Sequence, residues 1–159
     1  MINLKAEPKK LSRAGKCRIC GQRLPEGSVT IRTALKSYNI PYEVTLCAEC
    51  ATREVQSEIS RYHELENKVA GLTDQRRDRH VMGYVDECRE LWTERNEYPS
   101  RCKICEEKIP AGSWVLRGYT TALGWRHIIT LHAHCALKDI EQEISYRKQF
   151  INMINEAQK

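Results

Sequence analysis

Apolar positions recur along the chain with two different periods, and the order of the periods repeats. Two short alternating runs, 28–35 (SVTIRTAL) and 41–46 (PYEVTL), read as the strands of a hairpin, because successive side chains on a strand point to opposite faces. A helical stripe follows: Val55, Ile59, Tyr62, Val69 and Leu72 predict an amphipathic helix over 51–72, with Gly71 at its end. The same order returns at 113–120 (SWVLRGYT) and 125–131 (WRHIITL), followed by Leu137, Ile140, Ile144, Ile151 and Ile154 over 136–157. Alternation assigns faces. Val29 and Ile31, and at the matching places Trp114 and Leu116, are expected to pack towards the helix. Arg32, Arg117, Val115 and Tyr119 then project from the other side. Between the two patterns, 74–97 reads as a third helix, with Val81, Val85, Cys88 and Trp92 along one side, Asp74 as N-cap and Pro99 as stop.

Laying the sequence on itself with Cys17 over Cys102 aligns the two patterns without a gap. In that register Ile19 and Cys20 fall on Ile104 and Cys105; Pro25, Gly27, Ser28 and Arg32 fall on Pro110, Gly112, Ser113 and Arg117. Thr45, Leu46, Ala48 and Cys50 fall on Thr130, Leu131, Ala133 and Cys135, and the match runs on through Glu58–Ser60 and Glu143–Ser145. The chain is therefore read as a tandem repeat of one small unit. Its expected parts are a basic arm over 1–12, a first module over 13–72, a helical connector over 73–100 and a second module over 101–159.

Composition decides what holds such small modules together. There is one Phe in 159 residues, the mean hydropathy is −0.60 and 30% of residues are charged, so each module has a thin apolar core and needs a staple. Eight cysteines supply it. The N-terminus has no apolar core of a secretory signal, and no apolar run approaches the roughly 18 residues of a membrane span. An intracellular chain, in cytoplasm or nucleus, is expected. In reducing surroundings paired CxxC spacings read as metal ligands, not disulfides.

Each CxxC turn aims two thiolates at one point, and a second ligand pair completes a tetrahedron. The first module offers Cys17, Cys20, Cys47 and Cys50; the second offers Cys102, Cys105, His132 and Cys135. Two structural zinc ions are predicted, His132 standing in for Cys47 as an equivalent donor. His134 aligns with Glu49 and is read as a surface residue, His127 as a packed one; His63 and His80 lack a motif, and Cys88 reads as a buried helical thiol. The fold class that follows is α+β, small and metal-stabilised: two tandem zinc modules, each knuckle, β-hairpin and helix, joined by a helical segment.

The order of knuckle, hairpin and helix resembles treble-clef-type zinc modules. The second module more specifically resembles the zinc fingers of poly(ADP-ribose) polymerases and a related DNA ligase, through Cys102, Cys105, Ile109, Gly112, Arg117, His132 and Cys135. The resemblance runs from 102 to 135 and implies a binding module for DNA, its ends or breaks included.

Charge points the same way. Residues 1–36 carry nine Lys or Arg against two acids, while 51–100 carries eight against eleven. A polyanionic partner suits the cysteine-rich parts. The expected nucleic-acid surface is the arm residues Lys9, Lys10, Arg13 and Lys16, with Arg18, Arg32, Lys103 and Arg117, and Tyr119 as a stacking surface. The second module, with one thiolate fewer, is expected to meet phosphate more readily. No nucleophile–base pair, phosphate-cradling Gly loop or paired carboxylate motif is found, and a ββα-metal nuclease would need helix ligands that the cysteines already occupy. A non-enzyme is expected. The rival expectation is a protein-binding adaptor or inhibitor, or a homodimer, formed through the apolar stripes of the helices.

Overall fold

A computed structural model of the chain describes residues 2–35, 40–72, 84–88, 90–122 and 125–159. The expected N-cap Asp74, Val81 and His80 lie outside the described residues. The elements are β1 (Pro8–Lys10), β2 (Gly15–Lys16), β3 (Arg23–Leu24), β4 (Val29–Leu35), β5 (Ile40–Cys47), α1 (Ala48–Ala70), α2 (Tyr84–Glu87), β6 (Glu90–Arg95), β7 (Ser100–Arg101), β8 (Lys108–Ile109), β9 (Trp114–Ala122), β10 (Trp125–His132) and α3 (Ala133–Gln158). None of the described helices is long and apolar enough to cross a membrane.

By its internal contacts the chain divides into two units, and the division is not contiguous. Unit 1 comprises Met1–Arg61 and Ser145–Lys159; unit 2 is Tyr62–Ile144. Each long helix therefore begins in one unit and finishes as part of the other.

Unit 1 is a three-stranded antiparallel sheet, ordered β1-β4-β5, plus the small β2-β3 ladder and helix. Ile31 and Leu46 face each other across the ladder and are fully buried. Val55 of α1 and Phe150 and Ile154 of α3 join them in one apolar cluster. The chain's one Phe is spent here. Inside this unit Glu58 and Arg147, each 1% exposed, form an ion pair at 2.9 Å, and Glu58 Oε1 also accepts the Ile2 N–H at 2.9 Å. Two buried charges survive without water only when paired and further hydrogen-bonded, as here.

Unit 2 repeats the plan: sheet order β10-β9-β6, ladder β7-β8, and helix. Ile109, Leu116, Leu131, Leu137 and Ile140 are buried, and Asp139 accepts the Val85 N–H. Gly118 lies under Cys88. A Cβ at 118 would stand 2.5 Å from the Cys88 Sγ, so only glycine fits beneath that thiol.

The helix expected over 74–97 does not persist. Glu90–Arg95 is a strand paired antiparallel with β9, from Glu90↔Tyr119 to Arg95↔Trp114. The four-residue spacing of Cys88 and Trp92 imitates a helix, but Leu-Trp-Thr suits a pleated strand and sheet pairing overrides the local period. Three face assignments also differ. Trp114 is exposed, with the Arg95 guanidinium 5.4 Å from its ring, because it opens its strand. Val115 is fully buried: it pairs with the metal-site residue His132, where neither face of the sheet is open. His127 is exposed, since the outer half of β10 projects past the core. The apolar stripes of the long helices, by contrast, are covered within the chain: Val55, Tyr62, Val69, Leu137, Ile140, Ile144 and Ile154 are all buried.

The repeat is longer than its cysteines suggest. Elements β2, β3, β4, β5 and α1 recur as β7, β8, β9, β10 and α3, each starting where the register of Cys17 on Cys102 puts it. The pairing Lys10↔Val29 recurs as Arg95↔Trp114, so β6 is the second copy of the N-terminal strand.

Candidate metal centres

Local backbone chemistry aims each ligand. The first CxxC turn joins β2 to β3. Cys17 N–H bonds the Gln22 carbonyl, and Gly21 N–H returns to Cys17 O at 3.0 Å, with Gly21 at φ 72°. That left-handed position closes the knuckle, and glycine takes it without strain. Its second copy is Glu106 at φ 61°, whose N–H bonds Cys102 O at 2.8 Å. The knuckles then dock on the strands by one bond each, Arg18 N–H to Thr45 O and Lys103 N–H to Thr130 O. Cys47 and His132 end β5 and β10, and Cys50 and Cys135 lie in the first turn of α1 and α3.

Thus the structure brings Cys17, Cys20, Cys47 and Cys50 together, and likewise Cys102, Cys105, His132 and Cys135. Within each group the ligand atoms all lie within 4.8 Å of one another. Zinc–sulfur bonds of about 2.3 Å at tetrahedral angles put sulfurs about 3.8 Å apart; Cys20 and Cys47 Sγ are 3.9 Å apart. One sulfur and one imidazole nitrogen on the same ion would be separated by about 3.6 Å, and Cys105 Sγ lies 3.3 Å from His132 Nδ1. Each group can hold one metal ion, and the donor sets are those of structural zinc, with all four places filled by protein.

The thiols are also electrostatically prepared. Burial pushes Cys17 up, but the backbone N–H groups of Cys47, Cys20 and Ile19 outweigh it and hold the thiol at about 6. Cys102 is held at about 4, first by the Cys135 thiol donating to it and then, against burial, by the N–H groups of Cys105, His132 and Ile104. Three of these amides are the same positions in both repeats. The remaining thiols move up: burial and the neighbouring thiols raise Cys50, the bond to Cys102 and then burial raise Cys135, and burial raises Cys47 and Cys105. A bound cation would draw off those protons, as thiolate ligation requires.

Around the centres, His134 is half-buried with its ring stacked on His132, centroids 4.8 Å apart. Cys88 is buried as expected, just after α2, its thiol donating to Tyr84 O. His63 is exposed on α1, 3.0 Å from Glu66.

The expected nucleic-acid residues fare differently in the two units. Lys9, Lys10, Arg13, Lys16, Arg18 and Arg32 are all exposed. Register sets Lys9 opposite Thr30, two residues before Arg32, so both side chains leave the same face. Arg32 in turn pairs with Thr45, the residue to which the Arg18 backbone is bonded. Lys9 and Arg32 thus share one face of the unit 1 sheet, and Arg18 is exposed on the knuckle that docks along the sheet's β5 edge. In unit 2 Lys103 is exposed, but Arg117 is not free: Glu94 pairs with it and Asn96 Oδ1 accepts its Nη2 at 2.9 Å. The side chain of Arg117 is 25% exposed against 73% for Arg32, whose ion pair with Glu43 lies at the surface. Tyr119 is half-buried, and Arg126 covers its ring at 3.8 Å. Glu94, on β6, and Asn96, just after it, are missed in the sequence because the segment reads as helix. The register of the repeat, carried back to positions 9 and 11, finds them.

Compared with known proteins, the chain matches no family model and no curated relative.

Proposed function

We propose that the protein is a non-enzymatic, two-zinc module of treble-clef type that binds nucleic acid, DNA in preference, through the basic side of unit 1. One observation carries the reading: Lys9 and Arg32 stand exposed on one face of that sheet, and Arg18 stands exposed on the ligand-bearing knuckle docked at its edge. Cations fixed on a rigid strand and knuckle suit phosphate oxygens, which position without reading sequence. The weight falls on unit 1 and not on the thiolate-poorer unit 2, because Glu94, in the place of Lys9, already neutralises Arg117.

The test is a titration of zinc-loaded protein with duplex, nicked and single-stranded DNA and with RNA, at two salt concentrations. Three phosphate contacts should give a slope of log K against log salt of about −2.7 on duplex. The triple charge reversal Lys9→Glu, Arg18→Glu, Arg32→Glu should abolish binding, while Arg117→Gln should leave it nearly unchanged. Absence of binding at low salt removes the proposal.

A second reading, a protein-binding adaptor, is favoured by a different feature. Trp125 at 74% exposure and Ile128 at 61% stand on the outer half of β10, where apolar side chains invite a partner. The covered helix stripes give it no support. Trp125→Ser together with Ile128→Ser would then abolish partner capture and leave nucleic-acid affinity untouched.

A further inference from the structure

The two metal centres differ at one ligand in how solvent reaches it. Cys17, Cys47 and Cys50 are buried, but Cys20 is exposed; its second copy, Cys105, is half-buried. An open cleft of about 500 Å³ runs alongside the first centre, lined by Lys16, Cys17, Arg18, Cys20, Val44 and Thr45. The second knuckle keeps both cations, as Arg101 and Lys103, but replaces Gly21 and Gln22 by Glu106 and Glu107. The Glu107 carboxylate lies 3.9 Å from the Cys105 sulfur. Hence one centre offers an exposed cysteine in a cleft that two cations line, and the other a half-buried cysteine with a carboxylate 3.9 Å from its sulfur. Nearby cations favour thiolate attack on an anionic partner and nearby carboxylates oppose it.

We propose that Cys20 is a modification site at which anionic disulfides react, unloading the first metal centre and sparing the second. The Cys20 thiolate attacks one sulfur of the disulfide and expels its other half as a thiolate, leaving a mixed disulfide on Cys20. The Cys47 thiolate, its sulfur 3.9 Å from that of Cys20, then attacks the Cys20 sulfur and expels the second half. Two protein thiolates are oxidised to one disulfide, and one reagent disulfide is reduced to two thiolates. With Cys20 and Cys47 joined, only Cys17 and Cys50 remain as donors, too few to close a shell. None of these steps depends on nucleic-acid binding.

The experiment treats the full zinc-loaded chain with a dianionic aryl disulfide, 5,5′-dithiobis(2-nitrobenzoate), and separately with neutral 4,4′-dithiodipyridine. Metal release is followed with an indicator dye, and the modified cysteines are mapped by mass spectrometry. With the dianionic reagent, one metal equivalent should leave about tenfold or more ahead of the other, with Cys20 linked to Cys47. Lys16→Ala with Arg18→Ala should slow that fast phase several-fold and leave the neutral reagent's rate unchanged. Glu107→Gln should speed the slow phase for the dianionic reagent. Release of both metals in a single phase, first modification at Cys105, or equal slowing of both reagents by the Lys16/Arg18 variant would overturn the proposal.

Discussion

At position 96 the second repeat has asparagine where the first, at 11, has leucine, and the backbone takes no notice. In both, this residue donates its N–H to the carbonyl of a serine, 28 or 113, and accepts from a glycine, 27 or 112. Only the filling differs. Leu11 packs against the unit 1 cluster, whereas the Asn96 amide reaches Ser100 Oγ and the carbonyls of Ile109 and Pro110 and holds Arg117. The same thing happens at the first residues of each repeat. Asn3 N–H bonds the Thr33 hydroxyl at 3.1 Å, while in the second copy a thiol, Cys88, sits over a glycine, Gly118. What the repeats share is a hydrogen-bonded frame and four ligand positions. What separates them changes in touching pairs, since one side chain cannot change volume or charge in a packed interior without its neighbour.

That contrast can be pressed at four strengths. Metal is the shared term, so its removal should cost most. Chelation, or Cys17→Ser and Cys102→Ser each in its own repeat, should remove on the order of 10 kcal/mol of folding free energy, read as zinc content and loss of a cooperative melt. Because Cys50 and Cys135 are raised and stay protonated near neutrality without metal, binding must release protons. Zinc affinity should therefore climb from pH 6 to pH 8, and calorimetry in two buffers will count those protons.

Next comes an unshared term. Arg147 has Tyr62 as its counterpart, so the ion pair with Glu58 is not repeated. Arg147→Met should cost about 3–5 kcal/mol by taking the cation from a buried carboxylate, measured by denaturant unfolding, and adding Glu58→Leu should return most of it. A touching pair is gentler. Gly118→Ala alone should cost about 1–3 kcal/mol by overpacking, and Cys88→Ala in the same chain should return part of it by removing the sulfur that the new Cβ meets. Smallest is the knuckle: Glu106→Gly should stabilise the second repeat by about 0.5–1 kcal/mol, since it relieves a left-handed non-glycine residue. A loss in thermal melts would mean that the Glu106 side chain contributes more than its backbone costs.

The ligands are legible in the sequence because thiolate geometry leaves little choice of spacing, and both hairpins and long helices are legible because their stripes are long. β6 is not. Within one copy, Trp92 following Cys88 by four residues looks helical; only the pairing with β9 makes it a strand. The consequence reaches the site. With Glu94 and Asn96 assigned to a helix, Arg117 looks as open as Arg32, and the charge difference between the repeats is drawn from the metal ligands instead of from the strand beside them. The ion pair of Glu58 and Arg147 is hidden for another reason: it joins residues from opposite repeats, and aligning one repeat on the other looks only for what they have in common.

That long-range pair sets an order of events during synthesis. Residues 1–61 leave the ribosome early, metal ligands included, but the Phe150, Ile154 and Arg147 that complete their core are made only after the whole of unit 2. Until then the guanidinium that Glu58 meets in the finished protein does not exist, and the apolar cluster around Ile31 and Leu46 lacks Phe150 and Ile154. Of the two units, the one whose residues begin to emerge first is the one that finishes folding last.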